Sequence, residues 1–243
     1  MEFADILAAK GAQAGLAFSA QQLQQFSRYY EMLVETNKVM NLTAITEPKE
    51  VAVKHMIDSL LAYEPSMREG KVLADIGTGA GFPGVPLKIY CPELKVVLID
   101  SLGKRLKFLE QVINELQLAD ISCEHARAED AGRNKKHREA YDIVTARAVA
   151  RLSVLAEYCL PLVKKSGLFI ALKGSKYAEE LREGTAAVKI LGGQLLSSEP
   201  VKLPGLDDGR AIIRIKKIKN TPAQYPRKAG TPEKQPLGSR QGG

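Results

Sequence analysis

The chain has 243 residues, 45% hydrophobic and 26% charged, with a formal net charge of +7. That hydrophobic content supports a packed core, and no apolar run approaches the roughly 18 residues of a membrane span. Three dispersed cysteines, Cys91, Cys123 and Cys159, give neither a disulfide framework nor a CxxC metal pair, so a cytosolic protein with no metal and no membrane attachment is expected.

The start, "MEFADILAAK", carries acids and lacks the apolar block of a secretory signal. Next comes "SAQQLQQFSRYYEMLVETN", with Leu23, Phe26, Tyr30 and Leu33 at helical spacing and Ser19 placed to cap. "TEPKEVAVKHMIDSLLAY" predicts a further helix with Pro48 in its first turn. Residues 1–70 therefore read as a helical N-terminal extension.

From residue 71 the rhythm changes. "KVLADI", "KVVLID", "DISCEH", "YDIVTA" and "GLFIALK" are short apolar strand candidates separated by helical stretches such as "GKRLKFLEQVINELQL". Strands alternating with helices predict βαβ units and a parallel sheet with helices on both faces. After Gly192, "GGQLLSSEPVKLPGLDDGRAIIRIKKI" holds two strand-like runs around a turn. These predict a hairpin that closes a seven-stranded sheet with an antiparallel last strand. The domain is expected to span 71–219, Rossmann-like in its winding. Residues 220–243 are polar, proline-broken and basic, and are expected to form a mobile tail. From Arg210 onward the basic residues, Arg240 among them, face only one acid, Glu233.

The first strand runs into "LADIGTGAGFPGVPL", with Gly77, Gly79 and Gly81 at alternate positions. A glycine-rich turn after the first strand of a doubly wound sheet is where nucleotide-like ligands sit. "GAGFPG" matches the dinucleotide pattern GxGxxG, but that match alone is weak. Pro83 and Pro86 remove N–H groups that a pyrophosphate would use. Asp75, at the end of the strand, repels phosphate and favours a cationic ligand. S-adenosylmethionine is cationic and carries no phosphate. Asp100 ends the second strand, where an acid accepts from ribose hydroxyls; NAD and S-adenosylmethionine share that ribose. The closing antiparallel strand is usual in S-adenosylmethionine methyltransferases and not in dinucleotide domains.

Several segments together resemble one family. "DIGTGAGFPGVPLKI", "DSLGKRLKFLEQV", "YDIVTARAVARL", "LFIALKG", "NLTAIT" and "KHMIDSL" are similar to the glucose-inhibited division B family. Its members are bacterial enzymes that methylate guanine N7 in the decoding region of 16S ribosomal RNA. The resemblance runs from about Gln22 into the tail. It implies a class I methyltransferase fold, S-adenosylmethionine as cofactor, and 16S rRNA or a small-subunit particle as partner. It implies cofactor contacts at Gly77, Phe82, Ala128, Glu129 and Arg147. Thr36 stands where the family often has tryptophan, and this chain has no tryptophan.

The chemistry agrees with a reaction that needs no base. "DIVTARAVA" is not the Asn/Asp-Pro-Pro-aromatic motif of amine methyltransferases. A carbon-5 methyltransferase would need an activated cysteine, but neither Cys123 nor Cys159 has a basic partner at recognisable spacing, and Cys91 follows the first helix of the sheet domain, away from the fourth strand. Guanine N7 has an exposed lone pair and no proton to remove, so positioning suffices, and no catalytic residue is assigned. His55 reads as a hydrogen-bonded packing residue. Arg147, Arg151 and Lys173, near strand ends, are candidates for RNA contact. So are Tyr225, Arg227 and Lys228 in the tail, an aromatic beside cations. Removing the tail is expected to weaken RNA binding and leave the cofactor untouched. Three alternatives stay open: a methyltransferase of another RNA position or of a small molecule, an RNA-binding module with a vestigial cofactor site, and a nicotinamide oxidoreductase.

Overall fold

A computed structural model of the chain describes residues 2–147, 150–207 and 209–238. Helix α1 is Phe3–Gln13 and α2 is Ala20–Asn37. Ser19 caps α2 as expected: its hydroxyl accepts from Gln22 N, and the Gln22 side chain accepts from Ser19 N at 2.9 Å. The stripe that α2 buries is Phe26, Tyr29 and Leu33. All three are fully buried; Leu23 and Tyr30 pack at the margin of the stripe. The next helix starts with Pro48 in its first turn, but it is not regular. α3 (Pro48–Val51) and α4 (Asp58–Leu60) flank a π-helical turn, Ala52–Ile57. Such turns cluster near functional sites.

Seven strands form one sheet: β1 (Val72–Ile76), β2 (Lys95–Asp100), β3 (Ile121–His125), β4 (Tyr141–Arg147), β5 (Val163–Lys173), β6 (Gly193–Val201) and β7 (Arg210–Lys217). Their order is β3-β2-β1-β4-β5-β7-β6. The first five are parallel, and β7 lies antiparallel between β5 and β6. Helices α5 (Gly84–Tyr90), α6 (Gly103–Glu115), α7 (Ala128–Arg133), α8 (Leu152–Cys159) and α9 (Tyr177–Ile190) make the crossovers. The chain steps from β1 outward to β3 and returns to β4 on β1's other side. This reversal opens a crevice at the carboxyl ends of the strands.

Strand side chains alternate between two cores. Leu73, Leu98, Ile143 and Ile170 face a cluster shared with α5, α6 and the N-terminal helices, where Phe26, Leu33 and Met56 are fully buried. Ala74, Ile99, Val144 and Phe169 face a second cluster with α8 and α9. The helices of residues 2–70 thus complete one face of the sheet.

The end of the chain differs from the expected mobile arm. Residues 220–238 are packed on the body, with a last short helix, α10 (Thr231–Lys234). Glu139 accepts from Thr221 N and Asn220 Nδ2, at 2.7 and 2.8 Å. Arg138 donates to the carbonyls of Thr221 and Tyr225. Several of the counted cations lie in β7, not in a tail. Arg210 pairs with Asp58, Arg214 with Glu64, and Lys217 is buried against Glu139. Average polarity misleads because several of these polar groups meet partners placed far away in sequence. Arg240 lies outside the described residues.

Because α2 shares its core with the sheet, Leu33→Ala should destabilise the whole molecule by about 2–5 kcal/mol. A single melting transition shifted downward, followed by circular dichroism, is the expected result. A second transition confined to part of the helical signal would contradict a shared core.

Candidate cofactor site

Two carboxylates shape the glycine loop between β1 and α5. Asp75 is fully buried. Its Oδ2 accepts from Thr78 Oγ1 (2.7 Å) and Gly84 N (2.9 Å), the two ends of the loop, and Thr145 Oγ1 donates to its Oδ1 at 3.4 Å. Burial pushes its pKa up to about 6, against the hydrogen bonds and the charge of Arg147, which pull it down. Asp75 therefore lies beneath the loop as a brace, not on the ligand-facing wall that its charge predicts.

Asp100, at the end of β2, does face the crevice. It accepts from Gly79 N through Oδ2 and from Leu102 N through Oδ1, both at 2.9 Å. A carboxylate offers about four acceptor sites, so capacity remains for a ligand hydroxyl. Gly79 and Gly81 are left-handed, with φ of +61° and +106°. A Cβ on Gly79 would meet only Gly77 O, at an ordinary 4.0 Å, so its need is conformational; one on Gly81 would lie 2.6 Å from the Tyr29 hydroxyl. Tyr29 donates from below to the Ala80 carbonyl.

Above the loop is a cavity of about 430 Å³, within the range of small-molecule sites. Gly77, Asp100, Ala128, Glu129 and Arg147 all line it, brought from the ends of four strands. Gly79, Gly81 and Phe82 support the site without lining it. Ser101, Arg105, Arg127, Tyr158, Gly230 and Glu233 also line it and carry no motif in the sequence. Arg105 stands 3.6 Å from Asp100 Oδ2. The last three come from α8 and the C-terminal segment.

Arg147 is fixed by the π turn. Its Nη1 donates to Lys54 O (3.1 Å) and Asp58 Oδ2 (2.9 Å), and its guanidinium lies 4.9 Å from the Phe82 ring centre. Asp58 also accepts from Arg210 at 3.0 Å. The His55 ring lies tilted against Phe82, centroids 4.6 Å apart, with Nε2 on Thr43 Oγ1 and Nδ1 on Lys54 O. Burial first, then Arg147, lowers its pKa to about 4, so it is neutral at physiological pH. Neither Asp58 nor the π turn leaves a mark in helical periodicity.

Most of the remaining RNA candidates are committed elsewhere. Lys173 is buried, donating to Glu180 (2.6 Å) and to Ala150 O (2.7 Å). Arg227 grips the fully buried Glu157 with its side chain and its own N–H. Tyr225 packs against the second core. Arg151 is exposed and meets Glu183 only at 3.7 Å. Lys228 is exposed.

Comparison with known proteins gives concordant matches. The sequence model of the GidB family, rRNA small subunit methyltransferase G, matches residues 22–205. A Lactobacillus johnsonii protein named ribosomal RNA small subunit methyltransferase G is 50% identical over 96% of this chain and 99% of its own. Its Bacillus subtilis namesake is 52% identical over 93% of this chain and 95% of its own. Among solved structures, a SAM-dependent O-methyltransferase from Thermotoga maritima superimposes with a TM-score of 0.51. It is 16% identical and covers 77% of this chain and 72% of that one, a likeness of fold.

The raised pKa of Asp75 makes a signed prediction. Its folded value is near 6 and its ordinary value 3.8, so the folded state holds the extra proton between these limits. Stability should therefore fall as pH rises from about 4 to 6, by on the order of 2–3 kcal/mol. Asp75→Asn should remove that slope in denaturant titrations. An identical slope in the variant would place the proton elsewhere.

Proposed function

The chain belongs to the GidB family of rRNA small subunit methyltransferase G, and from that premise we propose that it transfers a methyl group from S-adenosylmethionine to N7 of a guanine in the decoding region of 16S rRNA. One observation carries the reading. Gly77, Asp100, Ala128, Glu129 and Arg147, scattered over seventy residues of sequence, line one cavity at the switch point of the sheet.

The residues fit S-adenosylmethionine. Asp100 offers an oriented acceptor for a ribose hydroxyl, and Glu129 is a buried carboxylate further along the same wall. When bound, S-adenosylmethionine supplies a methyl group on a sulfonium and leaves as S-adenosylhomocysteine. The protein's own work is to bring the acceptor nitrogen in line with that methyl. Arg147 is held by Asp58, Lys54 O and Phe82 before any substrate arrives, so it reaches into the site at no cost in reorganisation. His55 is neutral and both ring nitrogens are engaged; it serves as packing for Phe82.

The cysteines argue against the carbon-5 route. Burial pushes the Cys123 thiol up to about 11 and that of Cys159 well above its usual value. A thiol so protonated is a poor nucleophile. Guanine N7 needs no such group and no base. 16S rRNA, free or within a small-subunit particle, is the proposed partner, and the exposed Arg151 and Lys228 are the proposed RNA contacts. Among the described residues no helix is long and apolar enough to cross a membrane.

Two experiments test this. Incubating the protein with methyl-labelled S-adenosylmethionine and small-subunit particles lacking the modification, then digesting the RNA, should yield labelled 7-methylguanosine. Label in another nucleoside would refute the N7 assignment. In calorimetry S-adenosylmethionine should bind and NAD should not. Asp100→Ala should weaken the cofactor roughly ten- to a hundred-fold, as expected when bonds to a charged acceptor are lost. Wild-type affinity in a folded Asp100→Ala protein would remove this residue from the site.

A further inference from the structure

The C-terminal segment reaches the cofactor cavity across α7 and α8. Arg133 donates to Pro226 O at 2.8 Å, and Pro226 sits so close to Gly132 that a Cβ there would meet its ring at 2.9 Å. Next, Arg227 closes on Glu157. Its N–H and Nε donate to Oε1 at 2.7 and 2.9 Å, and Nη2 donates to Oε2 at 2.6 Å. Glu157 has no exposed surface and sits in the apolar helix "LSVLAEYC". A buried carboxylate without a partner is strongly unfavourable, so this pair holds the segment down.

Two further contacts carry the segment to the site. Gly230, with φ of +80°, turns its N–H onto Glu129 Oε1 at 2.9 Å. Tyr158 donates to Glu233 Oε1 at 3.2 Å. Gly230 and Glu233 then line the same cavity as Gly77 and Asp100. A cation engaged on Glu157 is not available to RNA phosphate. Its geometry serves the pocket.

We propose that residues 225–234 are the outer wall of the S-adenosylmethionine pocket on its Glu129 side, latched in place by the Arg227–Glu157 pair. The proposal rests on the cofactor reading above. It makes the segment a positioning element: Gly230 fixes the Glu129 carboxylate, and α10 covers what binds beside it. Coupling of this kind is reciprocal. If the docked segment strengthens cofactor binding, the cofactor stabilises docking by the same factor.

The test pairs a variant with a measurement on the unaltered chain. S-adenosylmethionine is titrated calorimetrically into the full chain and into Arg227→Ala. In parallel, trypsin cleavage after Arg227 and Lys228 of the unaltered chain is timed with and without saturating S-adenosylhomocysteine. The variant should bind at least ten-fold more weakly, and the ligand should slow cleavage by a comparable factor. If circular dichroism shows the variant unfolded, protection in the unaltered chain decides. Wild-type affinity in a folded variant, or cleavage indifferent to ligand, overturns the proposal. So does a variant whose only change is a shallower salt dependence of binding to a 16S rRNA fragment, which would return the segment to RNA. If the unaltered chain itself fails to bind S-adenosylmethionine, the cofactor reading falls and this proposal with it.

Discussion

The buried carboxylate of Asp75 is the constraint on which the site depends. It takes one hydrogen bond from Thr78 and one from Gly84, so it spans the glycine loop from entry to exit. Without it, three left-handed glycines would leave the loop many conformations. With it, the loop has one, and Gly77 is presented to the cavity while Gly79 N points at Asp100. The cost is a carboxylate deep in the fold with its pKa raised to about 6. A feature held at such cost marks function more often than packing. Asp100 then ties the loop to β2, so the neighbouring strands β1 and β2 each hold one side of it.

Distant segments are recruited to this frame by charge. Asp58, on α4, accepts from Arg147 of β4 and Arg210 of β7. Glu157, on α8, accepts from Arg227 of the C-terminal segment. Both carboxylates are buried, and in both cases an arginine from far along the chain satisfies them. Arginine suits the role because its planar fork offers several donors in fixed geometry. The helical N-terminus and the C-terminal segment thereby become parts of one catalytic body.

How much of this was legible in the sequence follows from what each signal depends on. Periodicity and punctuation are local, and they placed all seven strands, the capped α2 and the closing hairpin. The glycine frame with Asp100 points to the crevice where Gly77 and Asp100 line one cavity, because a switch-point crevice is set by topology. The resemblance pointed to Ala128, Glu129 and Arg147, which no local rule singles out. What failed was non-local. "AVKHMI" reads as ordinary helix, although it forms a π turn that offers Lys54 O to Arg147. Polar composition predicted a free tail at residues 220–243, because Glu139 and Glu157, which hold it, lie about 70 to 80 residues away. The charge of Asp75 is visible in the sequence and its burial beneath the loop is not.

Ligand-induced shifts of glycine amides locate the cofactor most directly. The protein labelled with 15N-glycine would be titrated with S-adenosylhomocysteine and followed by two-dimensional NMR. Gly77 and Gly79, on the loop held by Asp75 and Asp100, should move together with Gly230 of the C-terminal wall. Gly15 and Gly70, in remote turns, should stay still. Saturable binding that leaves Gly77 and Gly79 unmoved would contradict the central claim that this loop and its two carboxylates form the cofactor site.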